Sequence, residues 1–548
     1  MNERHGPTRL WVLAIGLLAL PSVAFWTAGC SRRAAVVDPA RDLMEIARRA
    51  ADEPIFDTAA ALSPDRLRAH ASFLADGALA GRFPGTAGID AAEEYIRRRL
   101  VKVGAVSPPA TDDHAHGVAL FASDFDPGRT GVTVSADGRV IAVGSAPLAM
   151  RPLPVTDLGS VEAQLVFAGY GITAPEHDWD DYREIDVDGR IVLVLRYEPG
   201  AFDADAGFPS AELTDHSLFA TKAAAARNRG AVGMIVVTAP THGDEPEDLR
   251  TPMTLGLDPR AIAARWARSR VTGFSAAQIS RRTASEMIAA VGLDLETVQS
   301  IADSGLSPAA VDLSGLIARI DVEPAEARPV AARNIVGFLS ATGSPSPPGG
   351  ARWIVIGAHH DHLGSFGDTA DAIYHGADDN ASGVAGVLEL AAATSLAERP
   401  VNVAFATFTA EEEGLLGSRA FVRDAVIPPE RIALMVNLDM IGRNPDKPVR
   451  VYTSPAADGF ADAVARAAEV RGLEVSLRRG VVEEVSDHYP FHQAGVPVVS
   501  VFTGLHDDYH RVTDTADRLD YDRMSRILTV LADALTEYAQ QLRQSTGQ

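Results

Sequence analysis

The chain has a single cysteine among 548 residues, which excludes an intramolecular disulfide and any zinc cluster built on cysteines. It is also short of basic charge, with 50 Lys+Arg against 73 Asp+Glu and a formal net charge of −23. A nucleic-acid binder needs a basic face to neutralise phosphates, so that class is set aside. The acidic balance aids solubility and by itself identifies no partner. There is no repeat period, and 46% hydrophobic residues are too many for a disordered chain. At roughly 100–200 residues per domain, the length allows two to four domains with ample core.

The N-terminus reads as a sorting segment. Arg4 and Arg9 precede an apolar stretch from Leu10 to Ala24, interrupted by Pro21, and Thr27-Ala28-Gly29 lead into Cys30. That is the layout of a secretory signal, too short for a comfortable membrane span of about 20 residues. The only cysteine directly follows the small-residue cleavage position. This resembles a bacterial lipobox, with Thr27 where Leu is usual, and implies lipidation of Cys30 at the mature N-terminus. A plain signal peptide cut nearby and an uncleaved anchor are the alternatives. All three place the body of the protein outside the cytoplasm, and lipidation implies the cell envelope, in the periplasm or at the outer membrane.

The expected organisation is a signal over 1–29, a tether with the N-terminal part of a first domain over 31–154, an inserted domain over 155–325 and the main part of the first domain over 326–548. Apolar residues at helical spacing (Leu67, Ala71, Leu74; Ala92, Tyr95, Ile96, Leu100) predict two helices between Leu62 and Val103, separated by the turn-rich loop Gly81–Gly88. The run 116–153 suggests short strands. In the segment 155–325, buried strands are expected at 163–171, 190–196 and 233–237, with a helix at 220–229. His216 and His242 stand among polar neighbours there and read as surface histidines. From Asn334 onward strands (353–358, 402–407, 432–438, 449–452, 498–502) alternate with helices (382–396, 456–471, 521–542). That alternation predicts an α/β fold with a mixed, mostly parallel sheet flanked by helices. The run Gly343–Gly350 reads as a loop.

Potential metal ligands collect where these strands end. They are His359-His360-Asp361-His362, then Asp378-Asp379-Asn380, then Glu411-Glu412-Glu413, then Asp439, and in a late loop Tyr509-His510. Sites in open parallel sheets form outside the carboxyl ends of the strands, so these residues can share one crevice. Imidazole and carboxylate without thiolate suit zinc or another divalent ion in a hydrolytic site. Each piece alone has a plainer explanation: a glutamate run is usually a solvated face, and Asp439 could cap a helix. Their conjunction at strand ends of one domain outweighs those explanations.

Five motifs follow in one order: Gly357-Ala358-His359-His360-Asp361-His362-Leu363-Gly364, Gly376-Ala377-Asp378-Asp379-Asn380-Ala381-Ser382-Gly383, Thr409-Ala410-Glu411-Glu412-Glu413-Gly414-Leu415-Leu416-Gly417-Ser418, Asn437-Leu438-Asp439-Met440-Ile441-Gly442 and Tyr509-His510. The chain thereby resembles the co-catalytic zinc aminopeptidases of the family that also contains glutamate carboxypeptidase and the transferrin receptor. The resemblance covers about 331–545, with the early helices resembling the start of the same domain and 155–325 the β-rich protease-associated domain inserted in many members. It implies two Zn2+ per chain, with His359 and Asp439 on one, Glu412 and His510 on the other, and Asp379 bridging both. The Asp378-Asp379 doublet and the glutamate triplet each permit a slip of one residue. It further implies Glu411 as general base, Asp361 as the carboxylate that orients His359, Tyr509 as donor to the oxyanion, and Asp487-His488 as pocket lining.

The function expected is release of N-terminal residues from peptides. Three alternatives stay open: a glutamate-type carboxypeptidase, for which Arg443 is a candidate carboxylate holder; a single-zinc glutaminyl cyclase on the same scaffold; and a non-catalytic receptor. The expected partners are a peptide substrate and, through the lipid, a membrane. No nucleic acid is expected, and the oligomeric state is not readable.

Overall fold

In the computed structural model of the chain, the described residues are 39–545 apart from 147–148, 154, 202–213, 243–253, 261, 263–271, 305–310, 344–351 and 366–371. The signal, Cys30 and most of the Gly343–Gly350 loop lie outside them. Among the described residues no helix is long and apolar enough to cross a membrane.

Two sheets organise the rest. The larger has nine strands in the order 254–256, 115–123, 328–339, 402–408, 353–359, 432–438, 498–502, 449–453, 475–479. Its middle four, Asn402–Phe408, Trp353–His359, Ile432–Leu438 and Val498–Phe502, are parallel. Every residue of the first three is buried, as expected of strands covered by helices on both faces. On one face, apolar side chains of the helices Pro64–Leu74, Ala87–Lys102, Gly383–Leu396, Asp458–Arg471 and Tyr521–Ser545 form the main core. On the other, Phe408, Phe421 and Phe491 pack together under the short helices Leu416–Arg423 and His488–Gln493. The parallel strands point their carboxyl ends the same way, so the residues that follow them meet at one rim.

The second sheet has eight strands in the order 139–145, 131–136, 316–322, 159–167, 191–195, 233–237, 275–279, 150–152. The chain leaves the first sheet after Ser123 and rejoins it at Arg328. Backbone bonds from Asp126 to Glu323 and from Ala325 to Asp124 close the neck. The second sheet therefore takes in the strands Gly131–Ala136, Arg139–Ser145 and Met150–Pro152, and the insert starts soon after Ser123 rather than at 155. Alternation identified those runs as strands and carried no information about which sheet they join. One piece of the insert returns: Thr254–Gly256 pairs with Phe121–Ser123 at the edge of the larger sheet, covering an otherwise open strand.

Most expected elements appear within two or three residues of their predicted bounds. The strand Arg328–Leu339 was not among those expected, and Val475–Arg479 is an edge strand that its half-exposed residues did not announce. His216 is half-buried, with its Nε2 2.6 Å from Glu176. His242 is buried beside Tyr170 and Tyr197, which corrects its reading as a surface residue.

A buried ion pair locks the early helices onto the domain. The Arg66 guanidinium donates to both Glu389 oxygens, at 2.9 and 3.0 Å from Nε, and to the carbonyl of Phe56 at 2.8 Å. Glu389 also accepts from the Leu62 amide at 2.7 Å and faces His70, whose other nitrogen meets the Tyr95 hydroxyl at 2.7 Å. Removing one partner strands a buried charge. Arg66→Met is accordingly expected to cost about 3–5 kcal/mol of stability, read as a lower midpoint in urea denaturation, with a smaller loss in Glu389→Gln.

Candidate metal centre

The site is built at the rim from five loops. His359 ends its strand, and Glu411 follows Asn402–Phe408 after Thr409 and Ala410. Asp439 comes directly after Ile432–Leu438, and His510 lies in the loop beyond Val498–Phe502. Asp378 and Asp379 sit in the irregular turn Ala377–Ser382 that opens the helix Gly383–Leu396.

Local sequence explains how that turn holds its shape. A Cβ on Gly376, at φ +57°, would lie 2.3 Å from the Asp379 carbonyl oxygen and 2.5 Å from the His362 ring, so only glycine fits. The Asn380 side chain donates to the Leu438 carbonyl at 2.9 Å and accepts from the Gly383 amide at 2.9 Å and the Met440 amide at 3.3 Å. The Ser382 hydroxyl bonds the Asp378 carbonyl at 2.7 Å and accepts from the Ile441 amide at 3.0 Å. Asn380 and Ser382 thus tie the aspartate doublet to the strand end that carries Asp439. From the far side, the Asp514 carboxylate accepts the amides of Asp378 and Asp379.

The doublet separates by direction. Asp379 points into the cluster: its Oδ1 is 3.2 Å from His359 Nε2 and its Oδ2 is 3.0 Å from His510 Nε2. Asp378 points away, accepting from the Gly442 amide at 2.7 Å and facing His506 at 3.2 Å. Asp439 Oδ1 is 3.5 Å from His359 Nε2, and Glu412 Oε2 is 3.2 Å from His510 Nε2. Two donor sets result, His359–Asp379–Asp439 and Asp379–Glu412–His510, sharing one carboxylate that offers an oxygen to each. Two ligand atoms about 2.0–2.1 Å from one tetrahedral zinc lie about 3.3 Å apart, close to all four separations. Asp439 Oδ1 and His510 Nε2 are moreover buried without a hydrogen-bond partner. The residues fit zinc.

The glutamate triplet also separates. Glu412 belongs to the second set, and Glu411 lies deeper, its Oε2 3.9 Å from His359 Nε2. Glu413 enters none of the acid–histidine groups found among the described residues. Burial pushes the Glu411 carboxyl well above its ordinary range, and the charges of Glu412, Asp487 and Asp439 push it further against the pull of His359. Asp379 behaves oppositely: burial would raise it, but the imidazoles of His359 and His510 facing its two oxygens hold it well below the usual range. Burial likewise takes Asp361 and Asp487 up to about 7.

Asp361 takes a place different from the expected one. Its Oδ1 is 3.8 Å from His359 Nδ1, too far for a hydrogen bond, and that ring nitrogen faces the Asp361 backbone oxygen at 3.2 Å instead. The carboxylate accepts the amides of Glu411 and Glu412, at 3.1 and 3.4 Å. It positions the glutamates, while its own backbone orients the histidine. Tyr509 lies with its ring stacked on His510, centroids 3.8 Å apart. Burial and the neighbouring carboxylates push its hydroxyl up, so it stays a proton donor. His488 lines the cavity beside Asp439 together with Ser486, whereas Asp487 is buried behind it.

Four contributors were not assigned from sequence. His362 Nδ1 lies 2.7 Å from Glu412 Oε1, holding the oxygen that His510 does not face. The Ser486 hydroxyl donates to Asp439 Oδ2 at 2.6 Å, and Asp514 holds the doublet. The fourth is Arg82, 1% exposed, whose guanidinium donates to the carbonyls of His360 (2.9 Å), His375 (2.8 Å), Gly376 (2.9 Å) and Leu74. Burial pulls it down to about 10, opposed by Asp361, Asp379, Asp514 and Glu412, so at neutral pH it is a cation beneath the acidic cluster. Arg82→Met is expected to weaken zinc binding about 10- to 100-fold, measured by titration against a competing chelator. Arg82→Lys should fall between, keeping the charge and losing the planar fork.

Residues 334–535 match the family described as Peptidase family M28, and residues 161–260 match the PA domain. Among relatives, aminopeptidase YwaD of Bacillus subtilis (strain 168) is 31% identical over 218 residues, covering 37% of this chain and 44% of that protein. Leucine aminopeptidase 2 of Trichophyton rubrum is 28% identical over 229 residues, covering 35% and 46%. The uncharacterized protein YfbL of Escherichia coli (strain K12) is 28% identical over 208 residues, covering 32% and 64%. The chain thus spans between 44% and 64% of the length of these relatives. The solved structure of BSAP, a zinc aminopeptidase from Bacillus subtilis, shares the fold at a TM-score of 0.51 and 20% identity, covering 87% of this chain and 95% of that one.

Proposed function

We propose, for a chain that carries a peptidase family M28 domain and a PA domain, that it is an exported aminopeptidase working with two zinc ions. The observation that carries the reading is Asp379, whose two oxygens face two separate histidine–carboxylate sets at 3.2 and 3.0 Å. His359, Asp439 and Asp379 would hold one ion, and Glu412, His510 and Asp379 the other. Bound there, zinc would supply polarisation of the peptide carbonyl and a lowered pKa for the attacking water.

The rest belongs to the chain's own side chains. Glu411 lies beside both sets without belonging to either bridge contact, placed to take the proton of the attacking water and pass it to the leaving amine. Tyr509, protonated and at the mouth of the cavity, donates to the oxygen on which charge develops. Asp361 keeps Glu411 and Glu412 in register through their amides, and His362 fixes Glu412. Export rests on the sequence Arg4–Cys30 and lipid anchoring on Cys30.

The glutamate-type carboxypeptidase is the less favoured reading on one count. Arg443, its candidate carboxylate holder, has its Nη2 bound to Asp508 at 2.7 Å and lies 3.9 Å from Asp514, so part of its guanidinium is already engaged within the protein. The single-zinc cyclase is separated by stoichiometry, and the non-catalytic receptor by turnover.

Glu411→Gln is expected to lower kcat on an aminoacyl anilide by about 10²- to 10⁴-fold while the protein still carries two zinc ions by metal analysis. Undiminished turnover in that variant would remove Glu411 from the mechanism. One zinc per fully loaded chain would remove the two-ion site.

A further inference from the structure

From Asp439 and Tyr509 a cavity of about 410 Å³ continues away from the metal centre, over the sheet face made by Val449–Thr453 and Val498–Phe502. The alternation of buried and half-buried residues puts Arg450 and Tyr452 on that face, and the antiparallel register sets Phe502 opposite Arg450 and Ser500 opposite Tyr452. All four line the cavity. The Arg450 guanidinium lies 5.8 Å from the Phe502 ring centre, and a Cβ on Gly504 would come to 3.6 Å from it. It makes no ion pair and no hydrogen bond with any described residue.

That isolation is unusual in this part of the molecule. Arg443 is bound to Asp508, Arg518 to the same carboxylate, Arg523 to the carbonyls of Arg443, Asn444 and Lys447, and Arg82 to four carbonyls. The chain has 73 Asp+Glu for 50 Lys+Arg, yet no carboxylate of the described residues pairs with Arg450. Glu483 lines the same cavity from its exposed rim and does not pair with it. Burial takes His488 down to about 4, which leaves it neutral. Arg450 is thus the cavity's one fixed cation among its lining residues, half-buried, next to the hydroxyl-bearing side chains of Tyr452 and Ser500. A guanidinium in such a place binds carboxylates through two parallel hydrogen bonds.

We infer that this cavity is a carboxylate subsite, in which Arg450 receives the acidic side chain of the residue being released. The inference deepens the aminopeptidase reading and rests on it. The same chemistry could come from the α-carboxylate of a C-terminal residue, and the experiment separates the two sources. The zinc-loaded full chain is assayed on Glu-, Gln- and Leu-p-nitroanilides with free amino groups, and on N-acetylated dipeptides ending in free glutamate. The expected result is that kcat/KM for the Glu-anilide exceeds that for the isosteric Gln-anilide by about tenfold or more. Arg450→Met should then cost the Glu-anilide at least about tenfold more than it costs the Gln-anilide, with zinc content maintained.

A Gln-anilide cleaved as well as or better than the Glu-anilide overturns the inference, as does an Arg450→Met loss of equal size on both. Cleavage of the acetylated dipeptides alone sinks the aminopeptidase reading. The subsite then stands, with its carboxylate coming from the C-terminal residue, only if Arg450→Met abolishes that cleavage. If neither class is cleaved, the peptidase reading fails, and thermal protection decides the subsite. Free glutamate raising the Tm of the wild-type holoprotein more than glutamine, and not that of Arg450→Met, sustains it; equal shifts overturn it.

Discussion

Carboxylates gathered at one end of a parallel sheet repel one another, and holding them there is the constraint on which the rest of the domain depends. Asp361, Asp378, Asp379, Glu411, Asp487 and Asp514 are all buried within this one region. In a medium of low dielectric such a set is tolerable only where each charge finds a donor or loses its ionisation. Both happen here. Asp361 and Asp514 are satisfied by backbone amides of the segments carrying the ligands. Glu411 and Asp487, which lack such donors, are pushed upward by burial, and burial also raises Asp361 and Asp514 against the pull of their amides. The hydrogen bonds that make the burial affordable are the same ones that set the geometry, so the electrostatic problem and the positioning problem have one solution.

Arg82 is the centre of that solution. Its guanidinium fastens the turn after His359 to the turn before Asp378 through their carbonyls, and its charge sits under the acidic set. None of this was legible. Gly81-Arg82-Phe83-Pro84-Gly85 reads as a surface loop because turn formers report backbone shape and are silent about what lies over the loop. Asp439, Glu412 and His359 were legible because each lies at or just beyond the end of an apolar strand, and strand ends of a parallel sheet converge whatever the side chains do. The Asp361 arrangement was legible only in part. Its place two residues beyond His359 suggested a partner for the imidazole, but the chain leaves strand geometry at His360, and the side chain turns to the Glu411 and Glu412 amides instead.

The insert shows a different limit. Its strands were recognisable by alternation, but alternation is the same in both sheets, so the point of departure could be found only from pairing. The neck at Asp124–Asp126 and Glu323–Ala325 lies between two adjacent antiparallel strands of the larger sheet. An insertion there leaves the register of the four parallel strands untouched. The strand Thr254–Gly256, reaching back to pair with Phe121–Ser123, ties the two sheets at a second place. A single hinge at the neck would let the insert swing as a unit, whereas a second hydrogen-bonded attachment restrains that motion.

Arg443 and Arg450 hold their charges in different ways. Arg443 and Arg450 lie seven positions apart, on either side of the turn that follows Asp439. Arg443 is matched by Asp508, whose carboxyl the arginine and Thr513 keep well below its usual range despite some burial. Its work is to hold the loop carrying His510 against the loop carrying Asp439. At its Nη2 a substrate carboxylate would have to compete with the internal one. Arg450 stands on a regular strand, where its direction is fixed by the pleat rather than by an ion pair. Its position therefore costs the fold no internal carboxylate, and its charge remains open to whatever enters from the metal side.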